Sequence, residues 1–338
     1  MATWFGDIHQ HSAFSDGTGA PRETYVRARD LYGDDLVALT DHESFLGKRT
    51  PPGEWAYLKH LAQRFEEPGR FATLLGYEWT GAMTPGPGHK VVYVPDADAP
   101  LVSRDDEGAH TGAGLLARIA GHDAVALPHH VGWTGADEES HDERLQPCFE
   151  VVSCHGAYET REDTVIGRRG EDRGRFLLEL LRDGLRFGFT GGSDGHGLLY
   201  QHGVSRKRDA HRTGLTCVIC REPSRPEVMR AVRSRRVYAT SGVAMWVRLW
   251  VDGLPMGSVA PWSRDPRIEM SVDAYASLEA LWLVTAVSER HLPCRGREIR
   301  LDTPLGMDAG RARFVYLRVL RKDGEMAWSS PVFFSPGP

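Results

Sequence analysis

The sequence predicts an α/β unit over residues 1–240 followed by an all-β unit over residues 241–338. Three observations carry this. Up to about residue 240, short apolar runs alternate with segments of helical periodicity, as strands joined by crossover helices do. Beyond about Val243 the helical periodicity stops and alternating segments remain, several bounded by turn residues. His, Asp and Glu recur just after the apolar runs of the first part, which reads as a metal centre at one end of a barrel or sheet.

The elements follow in chain order. Trp4–Ile8, Leu36–Leu39, Phe71–Gly76, Val91–Val94, Ala124–Leu127, Phe149–Val152 and Phe187–Thr190 read as strands, several continuously apolar as buried parallel strands are. Trp55, Leu58, Leu61, Ala62 and Phe65 form one helical stripe. Leu115, Leu116 and Ile119 form another, with Thr111 as N-cap and Gly121 as stop. A third runs through Phe176, Leu177, Leu180 and Leu181 and closes at Gly184. Ser224-Arg225-Pro226-Glu227 has the form of a capping box opening a helix to about Arg235. Arg235–Gly242 reads as the junction. After it, Ala244–Val251, Arg267–Asp273, Leu278–Val287, Arg297–Leu301, Ala312–Leu320 and Ala327–Phe334 read as strands of a small β-sandwich, with Trp246, Trp250 and Trp282 in its core.

Composition sets the bounds. With 338 residues, 41% hydrophobic and 26% charged, the chain is sized for two domains, or one large domain with an appendage, of an ordinary globular protein. A net charge of −5 gives no support for broad nucleic-acid binding. No apolar run reaches transmembrane length, and the N-terminus has no basic segment leading into an apolar one, so the expectation is a cytoplasmic chain with no membrane partner. The five cysteines have no disulfide-framework spacing. Cys217 and Cys220 form a lone CxxC whose side chains would point to opposite faces of a strand.

The chemistry concentrates in a few motifs. GDIHQHSAFSDG places His9 and His11 on one face of an extended segment, with Asp16 on the turn that follows. Then come TDH (Asp41, His42), GYEWT (Glu78), GPGHKVVYV (His89), ALPHH (His129, His130) and GGSDGH (Asp194, His196). A single HxH is a weak signal, and a lone histidine is usually structural or solvated. The ordered repetition at strand ends is what raises it. Imidazole with carboxylate suits Zn, Mn or Fe, whereas a structural zinc knuckle would use several thiolates. A carboxylate such as Glu78 can bridge ions. Such a centre makes hydroxide available near pH 7 and neutralises charge on a phosphoryl or carbonyl oxygen.

These motifs, HQHSAFSDG, TDH, GYEWT with GHKVVYV, LPHH and SDGH, resemble in content and order those of the PHP (polymerase and histidinol phosphatase) family of metal-dependent phosphoesterases. The resemblance covers roughly residues 1–240. GLTCVICREPSRPEVMRAVRSRRVYATSG and the tail resemble a bacterial branch with a C-terminal β-domain. It implies a distorted (β/α)7, TIM-like barrel and two or three divalent transition-metal ions. Carried over, His9, His11, Glu78 and Asp194 would hold the first ion. The second would share Glu78 and add His89 and His129, with His155 or Cys154 as alternatives to His89. Asp16, His42 and His196 would hold the third. Asp194, Glu78 and His130 are the expected catalytic groups, His130 as a substrate contact or proton donor, or else only a surface neighbour of His129. Asp41 is an expected carboxylate behind an imidazole.

Two basic loops follow these motifs. Arg206, Lys207, Arg208 and Arg212 stand after His196, and Arg161, Arg168, Arg169 and Arg173 after His155. Each residue alone reads rather as solvated loop. Together, and above all Arg206, Lys207 and Arg212, they favour a small anionic, phosphorylated substrate. The leading expectation is a phosphoesterase using metal-bound hydroxide. Hydrolysis of an amide, lactone or cyclic imide on the same centre is the alternative, followed by a non-catalytic binding module.

Overall fold

The computed structural model describes residues 1–95, 98, 100–162, 165–170, 172–197 and 209–337. Its centre is a long twisted sheet. The strand Ala2–Asp7 runs parallel to Leu36–Leu39, which runs parallel to Ala72–Thr80. Leu36–Leu39 is buried at every residue, as a strand covered on both faces must be. Beyond Ala72–Thr80 the direction alternates. His89–Tyr93 pairs antiparallel with it, and Val125–Pro128 antiparallel with His89–Tyr93. On the other side of Ala2–Asp7 come Leu215–Cys220, Val237–Thr240 and Met326–Ser329, each antiparallel to its neighbour.

The expected closed (β/α)7 barrel is not formed by hydrogen bonding among the described residues. Cys148–Ser153 and Gly188–Gly191 pair in parallel in a separate small sheet. The physical reason lies at the edge of Val125–Pro128. Its outward Ala126 N–H is taken by the carbonyl of Leu145 in the following loop at 2.7 Å, and Pro128 has no N–H to offer. The arrangement is a mixed α/β structure with a large, open central sheet.

The helical stripes occupy their expected places. Pro52–Phe65 buries Trp55, Leu58, Leu61, Ala62 and Phe65 against the sheet, and Gly112–Ile119 starts at Thr111, whose hydroxyl accepts from Gly114 N at 3.0 Å. Leu177–Arg182 is the third, ending two residues before the left-handed Gly184. The capping box before Arg225–Arg233 does not form. Ser224 makes no side-chain cap bond, and Glu227 pairs instead with Arg221 and Arg230. A further turn of α-helix at Pro21–Val26 passes into a π-helix at Arg27–Tyr32, which no apolar periodicity announced.

The C-terminal strands appear as expected, with Arg267–Asp273 between Trp246–Val251 and Glu298–Pro304. The stretch predicted as a junction contains the strand Val237–Thr240, which hydrogen-bonds to Leu215–Cys220 on one side and Met326–Ser329 on the other. One sheet therefore runs from the first strand into the C-terminal strands. Cys217 and Cys220 pack into different cores, as their spacing required. The buried tryptophan among these strands is Trp328; Trp246 is exposed, and Trp250 and Trp282 are half-buried. No helix among the described residues is long and apolar enough to cross a membrane.

Gly6 is where the first two strands meet most closely. A Cβ there would stand 1.9 Å from the carbonyl oxygen of Leu36. Gly6→Ala is expected to destabilise the protein by about 1–3 kcal/mol, the usual cost of overpacking, read as a lower urea midpoint with unchanged slope.

Candidate metal centre

The site is assembled by backbone pairing just past the strand ends. After Asp7 the chain leaves the sheet. His11 N donates to Gly195 O at 3.0 Å and Asp194 N to His9 O at 2.7 Å. Asp7 fastens the same joint, its Oδ1 accepting from His9 N at 3.1 Å and Ser193 N at 2.8 Å. Burial pushes this carboxyl up to about 7. His9 and His11 thereby face Asp194, which sits in the left-handed region at φ 48°. Glu78 reaches them from within Ala72–Thr80, a strand buried along its whole length.

Glu78 is the common partner. Its Oε2 lies 3.2 Å from His9 Nε2 and 3.1 Å from His11 Nε2. Its Oε1 lies 2.6 Å from His89 Nδ1 and 3.0 Å from His129 Nε2. His89 arrives differently from the others. It opens an antiparallel strand whose register sets it opposite Thr80, so it enters at the same end of the sheet by its N-terminus. Asp16, His42 and His196 form a further group with His11. Asp16 Oδ1 is 3.2 Å from His196 Nε2 and 3.6 Å from His42 Nε2. His130 and His155 complete the wall, His155 Nε2 standing 3.1 Å from Asp194 Oδ2. His130 is buried and is not a surface neighbour; its Nδ1 meets Thr134 Oγ1 at 2.8 Å.

A cavity of about 170 Å³ opens onto these groups. Asp16, His42, Glu78, His89, His130, His155, Asp194 and His196 line it, together with Phe45, Trp133 and Arg169. Phe45 stacks on His42 with ring centroids 4.8 Å apart.

The donor set fits divalent cations. His11 Nε2 and Asp194 Oδ2 are buried, face ligand-type atoms at 3.1 Å, and still make no hydrogen bond. Two ligands each about 2.0–2.1 Å from one ion stand roughly this far apart. Glu78 and Asp194 lie well below the usual carboxylate range despite burial, because imidazoles surround them, His42 and His129 at Glu78, His9 and His155 at Asp194. His11 is pushed up to about 10: burial opposes the shift, and the Asp194 and Glu78 carboxylates beside it outweigh that. His9 is raised likewise, by Glu150 and Asp194 against burial. Burial holds His42 near 3 and His129 near 4, and His130 well below its usual value.

Several orienting groups were not anticipated. Glu150 accepts from His9 Nδ1 at 2.9 Å and turns His9 Nε2 towards Glu78. Its signal was a carboxylate inside the apolar run FEVV. Thr80 Oγ1 fixes His42 Nδ1 at 2.7 Å. Asp41 does not hold an imidazole directly. It accepts from Ser12 N, Ser12 Oγ and Ser15 Oγ, and Ser15 Oγ lies 3.4 Å from His11 Nδ1. Cys154 gives its thiol to the Asp194 carbonyl at 3.1 Å. His155 stands on Asp194 and His89 on Glu78, so they are not alternatives for one position. Arg212 is committed to Asp34 at 2.7 Å and lies over Tyr32, outside the cavity lining. Arg206 and Lys207 lie outside the described residues. Arg169 is the cavity's cation. It rests 5.0 Å from the centre of the Trp133 ring and makes no ion pair among the described residues.

Comparison with known proteins bears on the fold. A solved two-domain protein from Bacteroides vulgatus ATCC 8482, described as containing a predicted PHP-like metal-dependent phosphoesterase, superposes with a TM-score of 0.51 and 17% identity over 95% of this chain and 91% of that one. The chain has the PHP-like fold in this sense. A family model described as a protein of unknown function, DUF3604, matches residues 24–129. Uncharacterized proteins of Chlamydia pneumoniae and Chlamydia muridarum are 26% and 24% identical over 83% and 97% of this chain. The chain spans 49% and 57% of their lengths, about half of the curated relatives it matches.

Two outcomes are expected. Glu150→Gln should weaken Zn or Mn binding about 10- to 100-fold, as loss of a group orienting a ligand does, measured by competition with a chelator. Because His9 and His11 hold protons at pH 7 in the metal-free protein and must give them up to an ion, binding should release protons and tighten as pH rises. Titration calorimetry in buffers of different ionisation enthalpy reads that release.

Proposed function

We propose that the protein is a metal-dependent hydrolase of phosphoesters, with two or three Zn, Mn or Fe ions. The observation that supports this reading most is the convergence of buried, unsatisfied imidazole and carboxylate atoms on a cavity whose one further charged group among the described residues is Arg169. Ions bound there supply Lewis acidity and an acidified water near neutral pH. His9, His11, Glu78 and Asp194 would hold the first, Glu78, His89 and His129 the second, and Asp16, His42 and His196 the third. Glu78 would be shared, because its two oxygens face different imidazole pairs.

The remaining steps belong to this chain's side chains. Asp194 touches His11 with Oδ1 and His155 with Oδ2, so it would order the nucleophilic side of the cavity. His130, held neutral by burial and neighbouring imidazoles, suits a ligand or a proton acceptor at pH 7 better than a donor. Phe45 and Trp133 would exclude water from the flanks. Arg169 would meet a phosphoryl oxygen, since no carboxylate among the described residues pairs with it. Residues 1–240 would carry this chemistry and residues 241–338 form the accessory β-domain. The substrate would be a small phosphorylated molecule, and the setting cytoplasmic.

Protein reconstituted with Mn or Zn is expected to hydrolyse phosphomonoesters or phosphodiesters, with turnover abolished by chelator. Asp194→Asn should remove that turnover while metal remains bound. Release of carboxylate from an amide, lactone or cyclic imide, with every phosphoester left intact, would replace this reading by carbonyl hydrolysis. Arg169→Gln is expected to raise KM about tenfold or more, the loss of one charge-assisted hydrogen bond, with metal content unchanged.

A further inference from the structure

Glu159 stands four residues beyond His155 and outside the cavity lining, yet its carboxylate is 1% exposed. Its partners all come from the C-terminal strands. Tyr316 Oη donates to it, as do Arg318 Nε at 2.8 Å, Arg318 Nη2 at 2.6 Å and Trp328 Nε1 at 2.5 Å. Arg318 continues through Nη1 to Glu289 at 2.7 Å. These donors sit on the paired strands Phe314–Arg321 and Met326–Ser329, which belong to the central sheet.

The same segment leads back to the metal centre by short links. Tyr158 is buried beside Glu159, and its hydroxyl lies 3.2 Å from the carbonyl oxygen of His155 and 3.0 Å from that of Arg169. Arg169 N donates to His155 O at 2.6 Å. The carbonyls of Tyr158 and Glu159 accept from Leu177 N and Leu178 N, so the segment is also tied to the helix Leu177–Arg182. One anchored carboxylate thus fixes a loop that presents a ligand-type imidazole and the cavity's cation.

An ion pair this buried adds little net stability over apolar side chains of equal volume, because both charges lose their water. What several convergent donors do supply is a single position for the carboxylate. We propose that the Glu159–Arg318 pair is a positioning device, by which the C-terminal strands set where His155 and Arg169 stand in the cavity. This rests on the reading of His155 as part of the metal centre.

The test uses the full chain. Glu159→Gln with Arg318→Met removes both charges and leaves an amide oxygen for Tyr316 and Trp328. Two readouts follow, hydrogen exchange of residues 154–170 in the metal-free protein, and affinity and visible spectrum with Co(II). Exchange at least tenfold faster, confined to 154–170, is expected in a folded double variant. Its Co(II) affinity should fall about 10- to 100-fold, with the spectral change that His155→Ala produces. Arg318→Lys should keep the parental spectrum. A purely structural role would speed exchange throughout and leave the spectrum unmoved. Parental exchange and spectrum in the folded double variant would overturn the proposal, as would a His155→Ala spectrum identical to the parent's. Should the double variant fail to fold, Trp328→Phe removes one donor and keeps a ring; an unchanged spectrum there overturns the proposal too. None of these readings uses turnover, so failure of the parent to cleave phosphoesters would count against the proposed function alone.

Discussion

One buried carboxylate organises the molecule. Glu78 is almost wholly withdrawn from water, and imidazoles from four other segments, at His9 and His11, His42, His89 and His129, crowd around it. Its burial would push it towards the neutral acid, and only that crowd keeps it charged. Asp194, Glu150 and Asp16 meet several of the same imidazoles from other sides. Each segment must therefore be delivered to the same end of the sheet. The parallel pairing of Ala2–Asp7, Leu36–Leu39 and Ala72–Thr80 delivers the first three, and the antiparallel return of His89–Tyr93 and Val125–Pro128 delivers the rest.

Around the hub lies a ring of groups that turn the imidazoles. Glu150 and Thr134 each engage a ring nitrogen, the Asp41–Ser15 pair stands beside His11 Nδ1, and Thr80 holds His42 Nδ1 next to Glu78. Orientation of this kind fixes the tautomer and leaves the inward nitrogen free for a cation. Among the inward atoms, His11 Nε2 and Asp194 Oδ2 are left without hydrogen bonds. Farther out, the sheet runs unbroken into the C-terminal strands, so those strands share one hydrogen-bonded framework with the centre.

The distribution of positive charge separates framework from cavity. Arg168 is spent on Asp172, Arg175 on Glu138 and Asp183, and Arg212 on Asp34. Among the described arginines of its loop, Arg169 is the one that lines the cavity, seated on the face of Trp133. That contrast could not be drawn from a run of arginines. Pairing depends on which carboxylates the fold brings alongside.

Much of the site was legible in the linear chain. His9 and His11 two residues apart, Asp and His flanking Gly195, and a histidine or carboxylate beside most of the apolar runs announced both the residue types and the strand ends, because alternation in a strand and the position of a residue relative to it are local properties. Local, too, were the helical stripes and the opposed faces of Cys217 and Cys220. The direction of His89–Tyr93, the failure of the sheet to close, the unformed Ser224 cap, and the partners of Glu150 and Glu159 were decided only in three dimensions. Each of these depends on a partner far along the chain: the Leu145 carbonyl at a sheet edge, Arg221 near Glu227, His9 beside Glu150, Arg318 beside Glu159. A charge inside an apolar run shows that a partner must exist, since an unpaired buried charge is too costly to keep. Which partner it finds is decided by the packing that brings them together.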